Sequence, residues 1–183
     1  NAKDKHSGYW INRRYFFMGK ALKYAYFPNW NLRLFKHKLG RYEKITDLST
    51  DSGDHEIHEH VVVQGSTGRL KSIMDHHAFP TIESFVEKHN RYSNWEAIVE
   101  NEKKEKADLI QHNEVKLKRK LRMFFRKLPF RPTLRFLYVY IWQKGFLDGW
   151  AGYVFARLHG QYEFLTKTKT RERLILIQTK DED

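Results

Sequence analysis

"YWINRRYFFM", residues 9–18, and "NLRLFK", residues 31–36, decide how the first half of this chain is read. Both are dense in aromatic and branched side chains, which suit a pleated, half-buried surface better than a helix. "HVVVQG" at 60–65 adds a short apolar run closed by glycine, and Pro28-Asn29 and Ser52-Gly53 supply turn residues between the segments. Strands and loops are therefore expected over residues 9 to about 79. At Thr81 the period changes. Pro80 stands just ahead, Thr81 and Ser84 offer capping hydroxyls, and Phe85, Val86, His89, Tyr92, Ala97 and Ile98 fall near one helical face. "ENEKKEKAD", 100–108, reads as a solvated end to that helix or a hinge. The expected class is α/β, mixed α+β in detail, with short strands followed by amphipathic helices.

The chain has 183 residues, enough for one domain with a real core or for part of a larger one. It contains no cysteine, so disulfides and thiolate metal sites are excluded. It begins at Asn1 with no signal-peptide pattern and reads as a piece of something longer. The net charge of +12 is unevenly spread. Between Val115 and Gly145 there are ten basic residues and no acidic one, while the other 24 nearly balance all 22 carboxylates. An anionic partner for that region follows.

Leu117, Leu121, Phe124, Phe125 and Leu128 repeat at helical spacing, and Lys116, Lys118, Arg119, Lys120, Arg122, Arg126 and Lys127 fill the rest of the surface. A basic amphipathic helix with phenylalanines on its apolar side suits an anionic bilayer interface. The aromatic stretch that follows, 130–165, is interrupted by Arg135, Gln143, Lys144, Asp148 and Arg157, so no clean membrane span exists. Trp142 and Trp150 are residue types that favour the headgroup level. An ordinary helix pair with a solvated basic face is the plainer alternative. Nucleic acid is the weakest partner, because the basic run comes with no recognition motif.

"DHEIHEH", 54–60, concentrates three histidines and three carboxylates. In an extended chain Glu56, His58 and His60 would share one face, and His55, Ile57 and Glu59 the other. The His-Glu-x-x-His zinc pattern fails, since Glu59 stands four after His55. Read by itself the stretch is a solvated polar loop, with a metal site or catalytic loop as alternatives.

The order of six phrases resembles the second half of the catalytic region of family-2 glycosyltransferases, in the bacterial branch that builds lipopolysaccharide core and exopolysaccharide. The phrases are Gly19-Lys20, Leu32 to Phe35, Ile57-His58-Glu59, Gly65 to Leu70, His76 with Phe79, and Asn90 to Ala97. "KGFLDGWAGYVFA", 144–156, is similar to that branch's membrane-proximal segment. The resemblance covers roughly residues 8 to 165.

It implies the C-terminal part of a GT-A fold and an inverting transfer of a sugar from a nucleotide-sugar donor to a lipid-linked or cell-surface polysaccharide acceptor. Direct displacement needs a carboxylate to accept the acceptor hydroxyl's proton, and Glu59 matches that position, with His58 orienting the loop or acceptor. Arg33 would contact the donor diphosphate or else make a structural ion pair. His76 would ligate a divalent metal, Mg or Mn, with His77 as fallback, or else be a hydrogen-bonded histidine at the helix start. Asn90 and Tyr92 read as packing and capping residues. The resemblance further divides the chain into 1–80, the acceptor side of the catalytic domain; 81–108, a closing helix; and 109–183, basic membrane-associating helices with a polar tail. Its place would be the cytoplasmic face of the cell membrane, without nucleic acid. One departure stands out: no Asp-x-Asp on a strand is present, so the chain alone is expected to lack a donor site and to be inactive. The alternative is a non-enzymatic basic module tethering to anionic membrane or nucleic acid.

Overall fold

A computed structural model describes residues 5–42, 61–102 and 128–181. The protein is mixed α and β. Strand β1 (Gly8–Phe17) is central; it pairs antiparallel with β2 (Lys20–Ala21) and β3 (Asn29–Phe35), and parallel with β6 (Thr67–His76). A second, two-stranded sheet joins β4 (Gly40–Tyr42) to β5 (Val61–Val63) antiparallel. Among the described residues three helices follow: α1 (Ile82–Glu102), α2 (Arg131–Leu137) and α3 (Gly149–Asp181). Between α2 and α3 lie one π-helical turn, Tyr138–Trp142, and one 3-10 turn, Gly145–Asp148.

Local chemistry explains these boundaries. The β1–β2 hairpin turns on Met18 and Gly19 at φ 51° and 72°, the left-handed pair that matches strand twist. Thr81 and Ser84 form a reciprocal cap: the Ser84 N–H donates to Thr81 Oγ1 (3.0 Å) and the Thr81 N–H to Ser84 Oγ (3.2 Å). On α1 Phe85, His89, Ser93, Trp95, Glu96 and Ala97 are buried, while Val86 is exposed. The expected apolar stripe is thus partly replaced by a polar one. The stretch expected as a polar tail continues α3 to Asp181.

Two cores result. Trp10, Leu32, Val61 and Val63 fill the space between the sheets. Phe17, Leu22, Phe85, Val139 and Phe155 join the other end of β1 to the helices, with the Phe17 and Phe155 rings 5.2 Å apart. Strand β1 serves both because its side chains alternate: Trp10 faces one core, Tyr15 and Phe17 the other. The helices meet along a polar seam. Arg131 is buried and donates to Glu163 Oε2 (2.7 Å, Nη2) and Glu100 Oε1 (3.0 Å), and the Tyr162 hydroxyl donates to Glu96. Lys169 Nζ donates to Asn90 Oδ1 (2.6 Å) and Ser93 Oγ (2.8 Å). The phrase Asn90 to Ala97 therefore builds the α1–α3 contact.

Candidate functional site

Parallel pairing of β1 with β6 sets Arg13 beside Met74, Arg14 beside Asp75 and Tyr15 beside His76. Alternation then sorts the side chains onto two faces. On one, Arg14 forms an ion pair with Asp75 (2.8 Å) and Phe16 stacks on His77 (4.2 Å between centroids). On the other, the helix side, Tyr15 meets His76 edge-on at 5.0 Å and Arg13 lies 5.9 Å over the Tyr15 ring. "RRY" in an otherwise apolar strand thus sends one arginine to a carboxylate and the other toward the core.

Arg13 meets no carboxylate there. Its Nε is buried and has no hydrogen-bond partner. Burial lowers its pKa, and the nearby Arg33 adds to that while Tyr15 opposes it. Arg33 stands at a β-bulge. Tyr9 and Trp10 of β1 face Leu34 and Leu32, so Arg33 is the extra residue of β3. It is half-buried and donates from Nη1 to the Tyr42 hydroxyl at 2.9 Å. Lys88, on the second turn of α1, donates from Nζ to the Ala78 carbonyl (3.2 Å). Burial, followed by the positive charges of Arg13, Lys88, Arg33 and His77, pushes the His76 pKa down to about 4. The imidazole is consequently neutral at pH 7.

Arg13, Lys88 and a neutral imidazole thus gather toward the ends of β1 and β6, while Arg33, set opposite Tyr9 and Trp10, stands toward the start of both strands and bears on His76 through its charge. The cluster suits a phosphate or diphosphate, which gains charge-assisted hydrogen bonds from guanidinium groups. A divalent cation fits it poorly. The charges that bear on His76 are positive, the neighbouring Asp75 is bound to Arg14, and among the described residues no three metal-ligating side chains come together.

Of the residues singled out from the sequence, His76 stands in this cluster, while Arg33 is bonded to Tyr42 toward the other end of β1. His58 and Glu59 lie outside the described residues, as do Lys116, Lys118, Arg119, Lys120, Arg122, Phe124, Phe125, Arg126 and Lys127. Sequence reading missed Arg13 and Lys88. The signal for Arg13 was available, since two adjacent arginines in a strand must point to opposite faces and one of them therefore joins the helix side. Lys88 carries no comparable mark.

Behind the cluster lies a sealed interior. His159 stacks on Tyr26 (4.5 Å), His89 stacks on Phe85 (3.7 Å), and the two imidazoles meet at 5.3 Å. Both ring nitrogens of His159 lack a hydrogen bond. Burial also raises Tyr26 to about 12 against the opposing pull of Arg135, so its phenol stays protonated. His89 and His159 are buried and act as packing. No protein-family model, curated protein or solved structure matches the chain.

Proposed function

We propose that this chain is part of an inverting, family-2-like glycosyltransferase, in which Arg13, Lys88 and His76 receive the diphosphate of a nucleotide-sugar donor and Arg33 adds positive charge from farther along β3. The unpaired, half-buried guanidinium of Arg13 beside a neutral His76 carries this reading. An uncompensated cation held off water is costly unless an anion arrives to meet it. Its position at the carboxyl ends of two parallel strands also agrees with where open α/β sheets bind ligands.

In the transfer, the acceptor oxygen attacks the anomeric carbon, the bond from that carbon to the diphosphate oxygen breaks, and Glu59 takes the hydroxyl proton. Guanidinium and ammonium groups stabilise the charge that develops on the departing diphosphate. His76, neutral, can donate one N–H to the same oxygens. A divalent metal would have to be held by carboxylates beyond the described residues, and no step is assigned to it. The acceptor is lipid-linked or saccharide, presented at an anionic membrane surface by the basic run that includes Lys116 to Lys127.

Inorganic pyrophosphate, titrated into the full chain by calorimetry, tests the anion site. Arg13→Met should weaken binding about tenfold or more without lowering the melting temperature, because it deletes a buried donor that has no partner. Equal affinity in the variant and the parent would sink the proposal. In a preparation competent for transfer, Glu59→Gln should cut turnover by about 10²–10⁴-fold and leave pyrophosphate binding intact.

The second reading, a non-enzymatic tether to an anionic membrane, is favoured by the exposed tryptophans Trp142 and Trp150. A pure tether would bind vesicles and be indifferent to Arg13→Met and Glu59→Gln alike.

A further inference from the structure

Between α2 and α3 the chain makes a knuckle in a short distance. The π turn runs directly into Lys144 at φ 58°, the 3-10 turn follows, and Gly149 at φ 64° starts α3. The bend is tight because two glycines let backbone meet backbone. A Cβ on Gly145 would stand 2.7 Å from the Val139 carbonyl oxygen, and one on Gly152 would collide with the Gly145 carbonyl. With the inside of the bend filled by backbone, the large side chains point out. Tyr138, Ile141, Phe146 and Leu147 are exposed, and Trp142 and Trp150 are 79% and 68% exposed. No other part of the described chain gathers so much aromatic surface on so few residues.

We infer that this knuckle is a membrane-insertion surface that enters the headgroup–acyl boundary of an anionic bilayer. Four observations fix the occupant. First, three N–H groups of its backbone are closed within the bend: those of Gln143, Lys144 and Leu147 donate to the carbonyls of Tyr138 (2.9 Å), Ile141 (3.0 Å) and Lys144 (2.9 Å). A turn that enters a lipid interface needs those bonds closed. Second, its single acid is turned inward. Asp148 accepts the N–H groups of Lys23 (2.8 Å), Tyr24 (3.0 Å) and Ala25 (2.8 Å). Third, the exposed charge at the tip is Lys144, whose stem can lie along apolar surface with its ammonium at the phosphates. The sequence leading to it holds seven basic residues and no acidic one from Lys116 to Lys127. Fourth, tryptophan and tyrosine at the rim with aliphatic residues between them is an interfacial composition, and no described helix is long and apolar enough to cross a membrane.

This inference rests on the membrane half of the proposed function and gives it an address separate from Lys116 to Lys127. The full chain is mixed with phosphatidylcholine vesicles, with and without phosphatidylglycerol, and with vesicles carrying brominated acyl chains. The expected result is binding that requires phosphatidylglycerol, a blue shift of tryptophan emission, and quenching by bromine. Trp142→Ser with Trp150→Ser should lose the quenching and weaken partition about tenfold or more, from the apolar area no longer buried. The quadruple Lys118→Gln, Arg119→Gln, Lys120→Gln, Arg122→Gln variant should bind less tightly but keep its quenching once bound. Binding of the parent without bromine quenching would overturn the knuckle and spare the membrane reading. Absence of binding to any vesicle would overturn both. A blue shift that follows protein concentration without lipid would assign the surface to a second copy of the chain and overturn the inference.

Discussion

Single residues here are legible by what they lack. Arg13 lacks a carboxylate and His159 lacks any hydrogen bond, yet the two have different meanings. Arg13 stands on the helix side of the sheet near His76, at the end of β6, while His159 is enclosed by aromatic rings. Burial pushes His89 down to about 4, against the bond to the Phe85 carbonyl, and pushes His159 well below its ordinary range. Both are therefore neutral in the fold and titrate near pH 6.5 when unfolded. Below that pH the unfolded chain binds more protons, so stability falls as pH drops from about 6.5 toward 4. Each histidine contributes a slope of about 1.4 kcal/mol per pH unit. Urea unfolding at stepped pH should show the slope. His159→Phe should remove roughly half of what these two contribute and leave stability at pH 7.5 equal or higher, since an apolar ring leaves no donor unsatisfied.

Elements are held by contacts that no local pattern announces. Asp148 is the last residue of the 3-10 turn, and its carboxylate closes three N–H groups that follow β2. Asp148→Ala should cost about 2–3 kcal/mol, as charged-acceptor bonds to backbone do. It should also accelerate amide exchange at Lys23, Tyr24 and Ala25 before any other part of the sheet, which hydrogen exchange by NMR would resolve. Much of the rest was readable. "YWINRRYFFM" and "NLRLFK" became β1 and β3 because aromatic and branched residues specify strands wherever they land. Thr81 and Ser84 marked the start of α1 because capping is a contact between near neighbours. The partner of β1 was not readable. Parallel pairing with β6 depends on residues 61 positions apart, and no short-range signal encodes it. Val86 was placed on the buried face and is exposed, whereas Phe85, His89 and Ala97, placed there too, are buried alongside Ser93 and Glu96. His76 was identified as a site residue, but its approach to Arg13 appears only when the strands are side by side.

At the scale of the molecule, β1 connects two cores and the polar seam ties α1, α2 and α3 into one body. Arg131 is the keystone of that seam, bonded to a carboxylate on α1 and another on α3. Replacing it with methionine leaves Glu163 buried with only Arg135, 3.6 Å away, to offset its charge. The expected loss is about 3 kcal/mol, the cost of stranding one member of a buried pair. Chemical denaturation of Arg131→Met measures it. Double replacement of Arg131 and Glu163 by apolar residues of similar volume should recover much of the loss; failure to recover any would mean the seam works through shape rather than charge.

The parallel β1–β6 pairing also orders events in time. The α2–α3 hairpin is assembled from contacts local in sequence, whereas joining Tyr15 to His76 closes a loop of 61 residues. Loop-closure entropy delays such distant pairings until nearer ones have formed. The chain thus acquires its helical hairpin early in folding and its cationic cluster late. In a half-folded molecule Arg13 and His76 still lie on separate, solvated segments, so the competence to hold a phosphate is a property of the finished fold alone.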